Sequence, residues 1–266
     1  MKLGFIGGGN MAYAICGGVI KSGLLSADSI TVNDTNEVAL SKFQELNVNV
    51  SCDALALTEC DYIILAVKPN IVPIALKNLS TKYKDKIQNA VFVSIAAGIS
   101  VDFIKEQLGF DAKVVRIMPN TPALVGEAMS VIAKAQTPVT DDEFENVKKI
   151  FNSIGEIEVM PENMLNGVIA ISGSSPAYVF MLIEAMADAG VRDGIARDVA
   201  YRLAAQSVLG SAKMVLETKK HPGELKDMVC SPKGTTIEAV AQLEESGFRN
   251  SIISAMKKCT DKANNI

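Results

Sequence analysis

The sequence predicts an α/β fold, a doubly wound sheet, followed by an all-α second half. Three observations carry this. Short β-branched runs alternate with helical patterns over the first 160 residues. One of them, YIILAV (62–67), is apolar throughout, as a strand covered on both faces of a parallel sheet must be. Beyond about residue 160, helical spacing continues with no strand-like run between the helices.

The elements follow in order. KLGFIG (2–7) reads as the first strand, and MAYAICGGVIKSG (11–23) as a helix capped at its end by Gly23. SITVND (29–34) is a strand and NEVALSKFQEL (36–46) a helix. After YIILAV come a helix at 70–79, the strand VFVSIA (91–96) and a helix at 100–108. KVVRIM (113–118) and AMSVIA (128–133) continue the strands. Asp141, Asp142 and Glu143 then place negative charge at a helix start, where the helix dipole favours it. Pro161 in VMPENM breaks the pattern and divides the chain into 1–160 and 161–266. The second part holds a short helix at 163–171 and longer ones over 176–191, 196–218 and 235–247, with a last helix running to Lys262.

Bulk properties exclude several classes. With 48% apolar and 21% charged residues, 266 residues bury a substantial core and are not disordered. A net charge of −4 with no basic run disfavours nucleic-acid partners. No apolar run reads as the roughly 18 residues that a membrane span needs, and the glycine-broken N-terminus does not read as a signal peptide. Five cysteines, an odd number without a CxxC pair, fit reduced thiols in the cytoplasm. A single histidine, His221, rules out a histidine-rich metal site, and no metal is expected. The late helices carry Ala, Met and Leu on several faces, which fits either self-association or an ordinary helical core.

The chemistry sits at the turns. GFIGGGNMA places G-x-G-x-x-A between a strand and a helix. Gly7 permits the tight turn, Gly9 lets the backbone approach a pyrophosphate, and Ala12 is small where helix meets strand. This is a Rossmann-type dinucleotide loop. Asp34, at the end of the second strand, is placed to bind the adenosine ribose hydroxyls, and no Arg or Lys lies between it and Lys42 to welcome a 2′-phosphate. On residues alone this favours NADH over NADPH; as an alternative, Asp34 caps the next helix. AVKP (66–69) and MPNTP (118–122) close two further strands on the same side of the sheet, where Asn120 and Thr121 offer side-chain hydrogen bonds. In the helical half, SGSSPAY (172–178) and SPKGTT (231–236) run into helices. Ser231, Gly234, Thr235 and Thr236 there suit a small carboxylate held by backbone N–H groups, or else an ordinary N-cap by Thr235 or Thr236.

GFIGGGNMA, AVKP, MPNTP, SGSSPAY and HPGELKDMVCSPKGTTIEA, in that order, resemble the successive signatures of the pyrroline-5-carboxylate reductase family. The resemblance spans the whole chain, and its last motif is the most specific. It implies a Rossmann domain, a helical domain that dimerises, often within a ring of dimers, and reduction of 1-pyrroline-5-carboxylate to L-proline by NADPH or NADH. It places coenzyme contacts at Gly8, Gly9, Asn10, Met11, Asp34, Ala66, Val67, Lys68 and Ala97, and proline contacts at Glu162, Thr235 and Thr236. The chemistry asks for no strong acid, because a protonated cyclic imine is already an electrophile. The Thr236 hydroxyl is therefore the expected catalytic group, bonding or protonating the ring nitrogen.

Three positions depart from the family pattern. SPGGTT reads SPKGTT, with Lys233 for a glycine; SGSG reads SGSS; and an asparagine that touches the coenzyme in some members is Met228. Gly234 is retained and is expected to supply the turn's flexible residue, while Lys233 either adds positive potential or points into water. His221, ahead of Pro222, reads as structural. Two rivals remain. One is a two-domain dehydrogenase of small hydroxy acids with Lys213 as its acid, although the Lys213 helix reads as packing. The other is a nucleotide-binding regulator without turnover.

Overall fold

The computed structural model describes residues 1–136 and 138–265. Among the described residues eight strands, β1 (Leu3–Ile6), β2 (Ile30–Asn33), β3 (Asn49–Ser51), β4 (Tyr62–Leu65), β5 (Val91–Ser94), β6 (Lys113–Met118), β7 (Ala128–Ala133) and β8 (Gly155–Met160), form one sheet in the order β3-β2-β1-β4-β5-β6-β7-β8. The order reverses at β1, so the β1/β4 crevice is where such a sheet takes its ligand. Strands β1 to β6 are parallel, and β4 and β5 are buried along their length, as their apolar runs require.

The sheet is not parallel throughout. β7 runs antiparallel to β6 with Ile117 opposite Ile132, and β8 returns parallel to β7. Residues 119–127 hold only a 3₁₀ turn (Thr121–Val125), too little chain for a crossover helix, so the strand folds straight back. β3 and β8 were not expected from the sequence. β3 is three residues long, and β8 (GEIEVM) alternates charge with apolar side chains as an exposed edge strand does.

Helices α1 (Asn10–Lys21), α2 (Glu37–Ser41), α3 (Val72–Ile87), α4 (Val101–Leu108) and α5 (Asp141–Asn152) connect the strands. α1 ends as the sequence predicts, with Gly23 left-handed at φ +73°. α3 outruns its expected end by eight residues, passing through Tyr83 in a non-helical conformation. One apolar cluster, with Phe5, Ile15, Val115 and Phe151, fills one side of the sheet. A second, with Ile63, Leu76, Phe92 and Ile104, fills the other.

Past β8 the chain is helical, with α6 (Leu165–Val168), a π-helical turn (Ile169–Gly173), α7 (Ser175–Arg192), α8 (Arg197–Thr218), α9 (Pro222–Val229), α10 (Thr235–Glu245) and α11 (Phe248–Ala263). The helical run Glu162–Arg192 is long and apolar enough to cross a membrane by length and composition, with an 18-residue mean hydropathy of 1.5. This corrects the expectation that no such run exists. The Gly and Ser residues of ISGSSP read as a break in the sequence, but the backbone stays helical through them.

The chain forms two compact units, Met1–Ser174 with the chain end from Cys259, and Ser175–Lys258. In the second unit α7 packs on α8 through small residues, with Ala187, Ala200 and Ala204 buried. Most of its large apolar side chains stay exposed, including Phe180, Met181, Leu209 and Leu216. So many exposed large apolar side chains on one small unit point to an interaction surface.

Candidate active site

The coenzyme loop is built by close approach. Gly7 lies at φ +104°, and a Cβ there would sit 2.7 Å from the Ala66 carbonyl oxygen. The Gly7 N–H donates to the Asn33 oxygen at 2.7 Å, tying the turn to the end of β2. Gly9 is the N-cap of α1 and has no side chain to occupy the helix's first N–H groups. Ala12 is fully buried, as expected where helix meets strand. No side chain caps the N–H groups that open α1, so the helix N-terminus is left as an anion cradle.

Asp34 faces this loop. Its Oδ2 accepts from Gly8 N–H at 2.7 Å and its Oδ1 from Asn36 N–H at 2.9 Å. It does not cap α2; Asn36 does, accepting from Val38 N–H at 3.0 Å. Both Asp34 oxygens keep lone pairs for a ribose. Lys42, the first cation after Asp34, donates to Asn10 Oδ1 at 3.3 Å and lies over the Tyr13 and Phe43 rings. These contacts hold it beside the first turn of α1.

The cleft at this site measures about 900 Å³ and is lined by Gly7, Gly9, Asp34, Ala66, Val67 and Lys68, so six of the expected coenzyme residues share one cavity. Asn10 and Met11 open α1 beside it. Part of the wall was missed from the sequence. α3 contributes Ile74, Asn78 and Lys82, four residues apart and so on one helix face, with Cys52, Asp53 and Tyr83 nearby. Ile74 and Asn78 lie within the expected helix and their four-residue spacing was the available signal; only Lys82 falls where the helix outruns its expected end.

Asn120 and Ala97, both expected to touch the coenzyme, do not line this cleft. Asn120 is buried; its Nδ2 donates to the Ser172 oxygen at 3.0 Å and its Oδ1 accepts from Met129 N–H at 3.0 Å. Its amide braces the MPNTP turn. Ala97 packs beside the cluster that includes Met118, Val131 and Leu165.

Glu162 lines a second cavity of about 680 Å³ in the same unit, with Ser100, Arg116, Lys134, Gln136 and Asn166. Its Oε1 accepts from Arg116 Nη1 at 2.9 Å and from Val101 N–H, at the start of α4, at 3.0 Å. Arg116 was not anticipated.

In the second unit, Ser231, Gly234, Thr235 and Thr236 come together in one turn. Gly234 is the N-cap of α10 and its N–H donates to the Ser231 oxygen at 3.0 Å. Thr235 and Thr236 are the first two helical residues and cap nothing, which overturns the N-cap alternative. The helix therefore opens with N–H groups that no side chain satisfies. The flexible position also differs from expectation. Lys233 is left-handed at φ +59°, while Gly234 is extended at φ −81°, where a Cβ would displace the Ser231 hydroxyl and lie 3.1 Å from the Ser231 carbonyl oxygen.

His221 is structural as expected; its Nδ1 accepts from Gly223 N–H at 3.0 Å and caps α9. Lys213 is exposed and pairs with Glu217 at 3.4 Å, so its side chain is not packing. Among the described residues no cluster of His, Cys, Asp or Glu is set to hold a metal.

A glycine cradle at a helix N-terminus, a carboxylate beside it at the end of β2 and a helical unit with exposed apolar side chains fit the class of two-part dinucleotide-dependent oxidoreductases. The comparisons narrow this. Residues 162–266 match the family model described as pyrroline-5-carboxylate reductase dimerisation, and residues 2–98 one described as NADP oxidoreductase coenzyme F420-dependent. The pyrroline-5-carboxylate reductase of Escherichia coli (strain K12) is 48% identical, covering 98% of this chain and 97% of that one. That of Arabidopsis thaliana is 43% identical, covering 97% and 94%. The Plasmodium falciparum pyrroline carboxylate reductase crystal structure with NADP bound superposes at TM-score 0.90 with 30% identity, covering 100% and 97%. The chain belongs to the pyrroline-5-carboxylate reductase family, and its helical part is the family's dimerisation domain.

Proposed function

We propose that this chain reduces 1-pyrroline-5-carboxylate to L-proline by hydride transfer from NAD(P)H, the last step of proline biosynthesis. The observation that carries this reading is end-to-end membership of the family, at 48% identity over 98% of the chain. When bound, the coenzyme supplies hydride from its nicotinamide ring.

The chain's own residues bind, orient and shield. Gly7, Gly8 and Gly9 with Asn10 and Met11 hold the pyrophosphate at the start of α1. Asp34 accepts the ribose hydroxyls, which favours NADH over NADPH. Ala66, Val67 and Lys68 line the cleft, Ala97 is a coenzyme contact from the loop after β5, and Asn120 acts by bracing the MPNTP turn. The N–H groups at the start of α10, with the Thr235 side chain, hold the substrate carboxylate so that one ring face is presented. Ser231 and Gly234 shape that turn. Glu162 accepts the single N–H of the protonated imine, and the Thr236 hydroxyl donates to the lone pair that forms on nitrogen as the C=N bond is reduced. The imine nitrogen already carries its proton, so hydride delivery to carbon completes the amine without an enzymic acid.

The functional division falls at 160/161, ahead of the dimerisation match that begins at residue 162. The chain self-associates through the helical part, and we extend this to a ring of dimers. It works in the cytoplasm without a nucleic-acid or membrane partner. Adding pyrroline-5-carboxylate to protein and NAD(P)H is expected to oxidise the coenzyme and form an equal amount of proline; no oxidation with either coenzyme would remove the reading.

A further inference from the structure

Arg116 is the only charged residue in the buried core among the described residues, at 6% exposure. It sits in β6 between Val114 and Met118, which share its strand face and enter apolar clusters. Burying a guanidinium is costly, and such pairs are seldom kept for stability alone. The cost here is not fully offset, because Nη2 is buried with no hydrogen-bond partner among the described residues.

What Arg116 does is fix a carboxylate. Glu162 Oε1 takes two donors, Arg116 Nη1 at 2.9 Å and Val101 N–H at 3.0 Å. No hydrogen bond to Oε2 occurs among the described residues, and Glu162 lines the 680 Å³ cavity. One oxygen is clamped and the other is available. The second donor matters too. Val101 is the first residue of α4, where Ser100 Oγ accepts from Phe103 N–H at 3.2 Å. The segment just before it carries Ala97, a proposed coenzyme contact. The Glu162 carboxylate therefore ties the loop after β5 to the entry of the helical half.

We propose that Arg116 is a positioning residue for imino-acid binding. It holds Glu162 by one oxygen, so that the other meets the substrate nitrogen at a fixed place. This rests on the reading of Glu162 as a substrate contact.

The test is steady-state kinetics on the full chain, with KM for the imino acid measured apart from KM for the coenzyme. Glu162→Gln and Arg116→Met are each expected to raise imino-acid KM about 10-fold, with coenzyme KM within about 2-fold. Arg116→Lys, which keeps charge and one donor, is expected to recover most of the loss. In a Glu162→Gln background, Arg116→Met is expected to add less than about 2-fold, because both act through one contact. If Arg116→Met does not fold, Arg116→Gln takes its place under the same criteria. If Glu162→Gln raises KM and the Arg116 variants do not, the positioning role is overturned while the substrate contact stands. Effects that multiply in the double variant, or coenzyme KM rising as much as imino-acid KM, also overturn it. If Glu162→Gln leaves KM unchanged, the substrate-contact reading fails and the positioning role falls with it.

Discussion

Lys233 and Gly234 are neighbours whose replacements should act in opposite directions. Lys233 holds φ +59°, a left-handed conformation that costs an L-residue about 1–2 kcal/mol. Lys233→Gly removes that cost but adds unfolded-state freedom worth about 0.5–1 kcal/mol. The net expectation is a gain of about 0.5–1 kcal/mol. For a chain of this size that is a rise in Tm of ~2 °C at fixed protein concentration. Gly234→Ala runs the other way. Its Cβ would lie 2.3 Å from Ser231 Oγ and 3.1 Å from the Ser231 carbonyl oxygen. Alanine is also a poor N-cap, so a loss of about 1–2 kcal/mol is expected. Lys233 is exposed, so its replacement should leave imino-acid KM unchanged, whereas Gly234→Ala should raise it. Thermal melts and kinetics on the two variants decide the matter. A stabilising Gly234→Ala, or a destabilising Lys233→Gly, would show that the strain is assigned to the wrong residue.

Three further outcomes are expected. The wild type should have a higher kcat/KM with NADH than with NADPH, and Asp34→Ser should move that ratio toward NADPH by about 10-fold, some 1.4 kcal/mol; a strong wild-type preference for NADPH would refute the assignment of Asp34. In thiol labelling of the native protein, exposed Cys52 should react first and be slowed by coenzyme, since it lines the cleft. Cys60, whose thiol burial pushes up to about 11, and Cys16, pushed up further, should stay silent until unfolding; labelling of Cys52 that coenzyme does not slow would misplace the cleft. Leu209 and Leu216 lie seven residues apart on one face of α8 and are 58% and 75% exposed in the single chain. Leu216→Arg should shift sedimentation toward the monomer, and an unchanged oligomer would remove α8 from the contact surface.

Much of the parallel core was legible because both-sided burial leaves an apolar run, as in YIILAV. The edges were not. β3 is too short for a pattern, and β8 carries glutamates because one side of it meets water. The direction of β7 depended on the length of chain before it, which was there to be counted. At the site, the glycine cradle and Asp34 could be read because each needs a particular residue at a particular step of the motif. Arg116 could not: an arginine inside KVVRIM becomes meaningful only once Glu162, far along the chain, is brought against it. Lys233 was misjudged for a related reason. Identity alone pointed to Gly234 as the flexible residue, and only the backbone angle shows which of the two bends left.

The central claim is tested most directly by mixing purified protein, 1-pyrroline-5-carboxylate and NADH or NADPH while following coenzyme absorbance and proline together. Equal amounts of coenzyme consumed and L-proline formed are expected, with kcat/KM lowered about 10-fold or more in Thr236→Ala, the loss of one hydrogen bond made in the transition state. Coenzyme stable in the presence of the imine, or oxidised without proline appearing, would contradict the claim.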